Sequence, residues 1–128
     1  MNKMIITNNS LVYEKFDEKI EIVYLSECSY LKTLEYVRDM IHKGHKLLTH
    51  PLSGSLKPNE TPFKSIAIGK KVENLDFEGL SIIENSIASA QKLIKGKPTP
   101  KYAERILEDF RLIDLSLIEN AIKSKFCL

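Results

Sequence analysis

No run of about eighteen apolar residues occurs in the chain, so length alone argues against a membrane-spanning helix. The beginning has no basic stretch leading into an apolar one, and the expectation is a soluble, unexported, cytoplasmic protein. Cysteine is scarce. Cys28 and Cys127 are the only two, and they have no metal-ligand spacing. Neither a disulfide framework nor a thiolate metal site is expected. An excess of one charge is also missing. A net charge of +2, from 19 basic and 17 acidic side chains, makes no general basic field and favours neither nucleic acid nor a membrane surface. There is no internal repeat and no low-complexity segment. The nucleophile-elbow pattern G-x-S-x-G and the phosphate-cradling pattern G-x-x-x-x-G-K-[ST] are both absent.

What is present fits one domain over residues 1–128. With 43% apolar and 28% charged residues, the chain has enough for one hydrophobic core. "KMIIT" (3–7) reads as a short apolar strand ending in the turn residues Asn8-Asn9-Ser10. "LVYEKF" can make a short helix. "IEIVYL" (20–25), rich in β-branched and aromatic residues, reads as a second strand. "SYLKTLEYVRDMIHKG" predicts an amphipathic helix, with Leu31, Leu34, Val37 and Ile41 recurring every three or four residues. Ser26 or Ser29 can cap its start, and Gly44 can supply the left-handed turn after its end. "HKLLTH" (45–50) reads as a third strand and "KSIAIGK" (64–70) as a fourth. Asp76 can cap a helix carried by Leu80, Ile83, Ile87, Ala90 and Ile94. Thr99 and Pro100 can open a last helix, from about 102 to 123. It places Ile106, Phe110, Ile113, Leu117 and Ala121 on one stripe, and Glu104, Glu108, Asp109 and Asp114 on a solvated face.

The expected fold is α/β: a small, mostly parallel four-stranded sheet flanked by helices, closing with an antiparallel C-terminal helix pair. Right-handed crossovers put the second and third strands on either side of the first. The carboxyl ends Thr7-Asn8-Asn9 and Thr49-His50-Pro51 then become neighbours at a switch point. Open α/β sheets take their ligands there.

The loop "THPLSGSLKPNETPFKS" (49–65) lies over that point, and loops of such length without secondary structure are often functional. The candidate ligand-binding residues are Thr7, Asn8, Asn9, Thr49, His50, Ser53, Gly54, Ser55, Lys57, Asn59 and Glu60. Gly54 permits a close backbone approach, and Ser53 and Ser55 offer hydroxyls and amides. Lys57 and Lys64 add positive charge, a combination suited to a small anion or a carboxylate. His50 is a candidate acid–base or anion-binding group, with a hydrogen-bonded structural histidine as the plainer alternative. The plain alternative is a connection and nothing more, because Pro, Gly, Ser and Asn fill any loop. No metal or cofactor is expected. His45 and His50 bracket one strand and would stand roughly 16 Å apart, at about 3.3 Å per residue. Cys28, near a helix start, is most simply a small buried residue.

"HKGHKLLTHPLSGSLKPNETPFKS", the opening "IITNN" and the helix "SYLKTLEYVRDMIHKG" together resemble the GrdX family. The likeness covers roughly the first seventy residues well; the C-terminal half shares size and helical character. Proteins of that family are encoded beside components of glycine, sarcosine and betaine reductase in amino-acid-fermenting anaerobes. The resemblance implies a cytoplasmic protein of that metabolism and carries no activity with it. The two separate cysteines do not supply the paired thiols of a redox subunit.

Three functions follow as expectations. One is an accessory protein that binds a small anionic metabolite or a reductase component through loop 49–65. The second is a small enzyme acting on a phosphorylated or carboxylated metabolite at the His50 loop, for which His50, Lys57, Glu60 and Lys64 are the ionisable groups at hand. The third is an interaction module that forms a homodimer through its last helices. No catalytic residue can be assigned.

Overall fold

The structure, a computed structural model, describes residues 2–16, 18–52, 54 and 56–123. Its elements in chain order are β1 (Lys3–Thr7), α1 (Ser10–Phe16), β2 (Glu21–Tyr24), α2 (Tyr30–His42), β3 (Ser65–Gly69), α3 (Phe77–Gly96) and α4 (Glu104–Lys123). The α/β expectation holds, with three strands and four helices.

The sheet order is β2-β1-β3. β1 pairs with β2 in parallel, Met4 opposite Glu21 and Thr7 opposite Tyr24. It pairs with β3 antiparallel, Lys3 opposite Gly69 and Thr7 opposite Ser65. β1 is therefore central, and Met4 to Thr7 are all buried. Alternation along it divides the core. Met4 and Ile6 join Ile66, Ile68 and the buried faces of α2 and α3. Ile5 joins Ala67, Val12 of α1, and Leu115 and Ile118 of α4. Helices thus cover both faces, two to a side.

Two expectations are corrected here. The sheet is mixed and three-stranded, and "HKLLTH" is not the neighbour of β1. It makes only an isolated antiparallel bridge, Leu47 to Ile68, on the far side of β3. Leu48 N donates to Ala67 O at 3.0 Å, and Gly69 N to Lys46 O at 2.7 Å. The ladder ends at Thr49, whose hydroxyl stands in for a carbonyl and accepts from Ala67 N at 2.9 Å. The physical reason lies in composition. A strand between two others is buried on both faces and must be apolar throughout. Ile66, Ala67 and Ile68 meet that demand and are buried, whereas Lys46 and His50 are exposed and suit an edge. The proposed adjacency of the 45–50 strand to β1 is therefore absent.

The closing helices do not form a pair. α3 packs with α2, and α4 packs with α1 and β3 on the opposite face. Segment 97–103 carries the chain from one side to the other. α4 also begins at Glu104, beyond Thr99 and Pro100. The caps of the earlier helices are as expected: Ser29 accepts from Lys32 N, and Asp76 accepts from Gly79 N. Gly44 has φ +111°, as the left-handed turn after α2 requires.

Candidate functional site

The carboxyl ends of β1 and β2 point to the same side, because the two strands are parallel. Leu25 N donates to Thr7 O at 2.7 Å and carries the pairing one residue further. Thr7, Asn8 and Asn9 then meet the loop as expected, but at its far end, residues 62–65, instead of at His50. Asn8 is the junction. Its Nδ2 donates to Cys28 O at 2.9 Å and Pro62 O at 2.8 Å, and its Oδ1 accepts from Lys64 N at 2.9 Å. One amide thus ties β1 to the turn before α2 and to the end of the loop. It uses three of its four hydrogen-bonding positions in doing so.

Asn9 looks the other way, toward α4. Its Nδ2 donates to Arg111 O at 2.9 Å and to Asp114 Oδ2 at 3.0 Å, while Oδ1 accepts from Leu11 N at 3.0 Å. Asp114 also accepts from Ser65 N at 3.0 Å and Ser65 Oγ at 2.7 Å. Ser65 has one hydroxyl proton, so Thr7 Oγ1, 2.6 Å away, donates to Ser65 Oγ in turn. Thr7 Oγ1 accepts from Asn9 N at 2.9 Å and closes the circuit.

Asp114 is therefore no part of a solvated face: it is 4% exposed. Burial pushes its carboxyl above the ordinary value, against the downward pull of Asn9, Ser65 and the charge of Lys64. Burial lowers the Lys64 ammonium, and Asp114 opposes that. Burial, helped by Asp114, raises the Tyr30 phenol, which donates to Pro51 O at 3.1 Å. Tyr30, Lys64 and Asp114 border a cavity of about 10 Å³ closed by Phe110 and Leu117, room for about one water. The predicted α4 stripe supplies that lining, but Ile113 is 41% exposed. The face packed on α1 and the sheet is instead Leu115, Ile118 and Ile122.

Above the circuit lies a cleft of about 350 Å³, walled by Asn8, Tyr24, Glu27, Cys28, Phe63 and Arg111, with Ser10, Ser26, Ser29 and Pro62 at its margins. This is within the size range of small-molecule sites. Tyr24 is fixed by stacking on Tyr13, with ring centres 4.9 Å apart. Glu27 has φ +63°, alone among the described non-glycine residues in being left-handed. Arg111 lies over the Phe63 ring at 5.1 Å, and its Nη1 donates to Glu104 Oε1 at 2.7 Å.

Several predicted residues have other work. Thr49 is spent on β3. His50 is exposed, and its Nδ1 accepts from Leu52 N at 3.1 Å. Lys57 N donates to Glu60 Oε1 at 2.8 Å and Glu60 N to Lys57 O at 2.9 Å, a reciprocal turn. Asn59 Nδ2 donates to Leu93 O at 3.4 Å and Lys97 O at 3.1 Å and so fastens the loop to the end of α3. Gly54, with φ +103°, sits against Leu117 of α4. Ser53, Ser55 and Cys127 lie outside the described residues. Of the four ionisable groups proposed for an enzyme, only Lys64 borders the small cavity and none lines the cleft. His45 is buried, with Nδ1 2.8 Å from Gly69 O.

Tyr24, Glu27, Cys28, Arg111 and Asp114 were missed as site residues. Asp114 had a signal: it stands four residues before Ile118 and next to Leu115, inside an apolar stripe where an acid needs partners. Arg111 had none, since its approach to Phe63 depends on tertiary packing.

Helices on both faces of a small mixed sheet, with a cleft at the ends of its two parallel strands, define a small α/β protein. The family model for GrdX-like proteins matches residues 4–123, nearly the whole chain, and the chain belongs to that family. The match extends the likeness well beyond the first seventy residues. No curated protein and no solved structure matches. No helix among the described residues is long and apolar enough to cross a membrane.

Proposed function

We propose that this GrdX-like chain is an accessory protein of the glycine, sarcosine or betaine reductase system. It binds a small anionic metabolite, or an acidic group of a reductase component, in the cleft over β1 and β2. The supporting observation is the cleft itself, about 350 Å³, with Arg111 on its wall and the end of loop 49–65 as its roof. The loop's part is carried by Pro62 and Phe63. Its earlier residues anchor it to α3 and α4 and hold the roof in place. The reductase connection rests on the family, and the binding role rests on the cleft.

Filling the cleft tests this. Ser26 is exposed in the turn between β2 and α2 and borders the cleft, so Ser26→Trp occupies the space with little demand on the core. Binding of purified reductase components and of a panel of carboxylates and phosphates is measured by calorimetry. The expected result is binding by the wild type and by His50→Ala, and its loss in Ser26→Trp. Equal binding by Ser26→Trp would sink the reading.

A further inference from the structure

Among the described residues, Arg111 is the only cation on the cleft wall. It also borders an adjoining groove of about 340 Å³ beside Glu14, Glu108 and Leu112, so it stands at the rim between two open spaces. Two contacts hold it there. Phe63 supports the flat face of the guanidinium, and Glu104 takes Nη1. Among the described residues Glu104 is its sole carboxylate partner.

That partnership is an awkward one. Glu104 begins α4, and Arg111 follows two turns later, about 10.5 Å along the axis. Two outstretched side chains must meet to close the gap. The Glu104 side chain is 66% exposed and the Arg111 side chain only 22%. Exposed pairs of this kind hold weakly. The contact also uses one nitrogen of a planar fork that offers five N–H donors and suits a carboxylate gripped by two.

We infer that Glu104 is an internal stand-in for a ligand carboxylate, and that Arg111, held on Phe63, exchanges Glu104 for it. The inference rests on the cleft being the binding site and adds what the cleft selects. Glu27 on the cleft wall and Glu14 and Glu108 in the adjoining groove repel a second negative charge. The ligand class is therefore a monocarboxylate, in preference to a dicarboxylate or a phosphate.

Amide and arginine side-chain NMR spectra of the full chain are followed during titration with acetate, succinate and inorganic phosphate. Acetate is expected to shift the Arg111 Nε–H signal and the amides of Ser26 and Cys28, at lower concentration than succinate or phosphate. Glu104→Gln removes the competitor, and acetate then binds about two- to fivefold more tightly, as loss of an exposed pair implies. Arg111→Gln abolishes the response, and Arg111→Lys, which keeps the charge without the fork, restores only part of it. Should the Arg111 variants unfold, Glu104→Gln carries the test, because Glu104 is exposed. Unchanged or weaker acetate binding in Glu104→Gln, or tighter phosphate than acetate binding, overturns the inference. If Ser26→Trp blocks a metabolite or reductase component while Glu104→Gln changes nothing, the exchange is wrong and the cleft remains the site. If neither variant changes anything, both ideas fall.

Discussion

Asp114 of α4 accepts both the backbone N–H of Ser65, at 3.0 Å, and its hydroxyl, at 2.7 Å. The first residue of β3 is thereby fixed to the middle of a helix 49 positions further along the chain. The same carboxylate accepts from Asn9, just after β1, so one group joins two strand ends to α4. Asn8, on the floor of the cleft, lies in sequence between Thr7 and Asn9 of this circuit.

Removing the carboxylate leaves the donors of Ser65 and Asn9 in a place closed to water. Each unsatisfied group costs about 1–3 kcal/mol, and breaking a buried charged network costs about 3–5 kcal/mol. Asp114→Ala is expected to fall in that second range by urea unfolding. A loss under about 1 kcal/mol, the scale of an ordinary surface change, would show that water reaches these groups.

The pH dependence has a definite sign. Burial raises the folded Asp114 carboxyl above its ordinary 3.8, so the folded state binds the proton more readily than the unfolded chain. Its contribution to stability is fully present below the unfolded value and is lost as pH rises through the folded one. Relative to Asp114→Asn, which does not titrate there, the wild type should lose stability as pH rises from about 4. Lys64 is a base held below 10.5. Its contribution is present above the unfolded value and lost as pH falls through the folded one. A carboxyl carbon NMR titration placing Asp114 below 3.8 would mean that hydrogen bonds and Lys64 outweigh burial, and the sign would reverse.

Asn8 and His50 were both candidate ligand-binding residues, and the structure gives them different surroundings. Asn8 binds three segments through Cys28 O, Pro62 O and Lys64 N. His50 is exposed, with one local contact to Leu52 N. Asn8→Ala should destabilise by about 2–4 kcal/mol, from lost bonds and stranded backbone groups. His50→Ala should stay within about 0.5 kcal/mol. Thermal unfolding of both variants ranks them, and the reverse order would reassign the centre of the loop to His50.

The elements were legible because their signals are local. Ser29 and Asp76 cap as their side chains predict, and the apolar spacing of α2 and α3 marks the faces they bury. Strand order was not legible in the same way. Segment 45–50 and β3 are both short and apolar, and the choice of neighbour for β1 turned on which one tolerates burial on both faces. The crossover rule supplied a parallel answer where the chain makes an antiparallel return. In α4 the apolar residues allow two stripes, one through Phe110 and Leu117 and one through Leu115 and Ile118, and both are used. Choosing only the first sent Asp114 to solvent. The cleft was half legible. Its floor at Asn8 and its roof near residue 63 were within the predicted region, but Arg111 comes from a helix more than forty residues beyond the loop's end.

Two glycines with left-handed backbones should respond unequally to a side chain. Gly44, at φ +111°, turns the chain after α2, and an added Cβ there would run into the backbone carbonyl of Glu73. That carbonyl belongs to a residue whose own N–H donates to Gly44 O at 2.9 Å, so moving it disturbs a hydrogen bond. Gly54, at φ +103°, faces the end of the Leu117 side chain, with a Cβ placed 2.8 Å from Cδ1. A leucine can change rotamer, and a carbonyl held in a turn cannot. Gly54→Ala should therefore carry mainly the backbone strain, about 1–2 kcal/mol. Gly44→Ala adds the collision and should reach about 2–4 kcal/mol. A cycle with Leu117→Ala separates the two terms at position 54. If the strain is in the backbone, Gly54→Ala costs nearly the same with the leucine removed. If its cost vanishes there, the loop is held away from a comfortable conformation only by packing on α4.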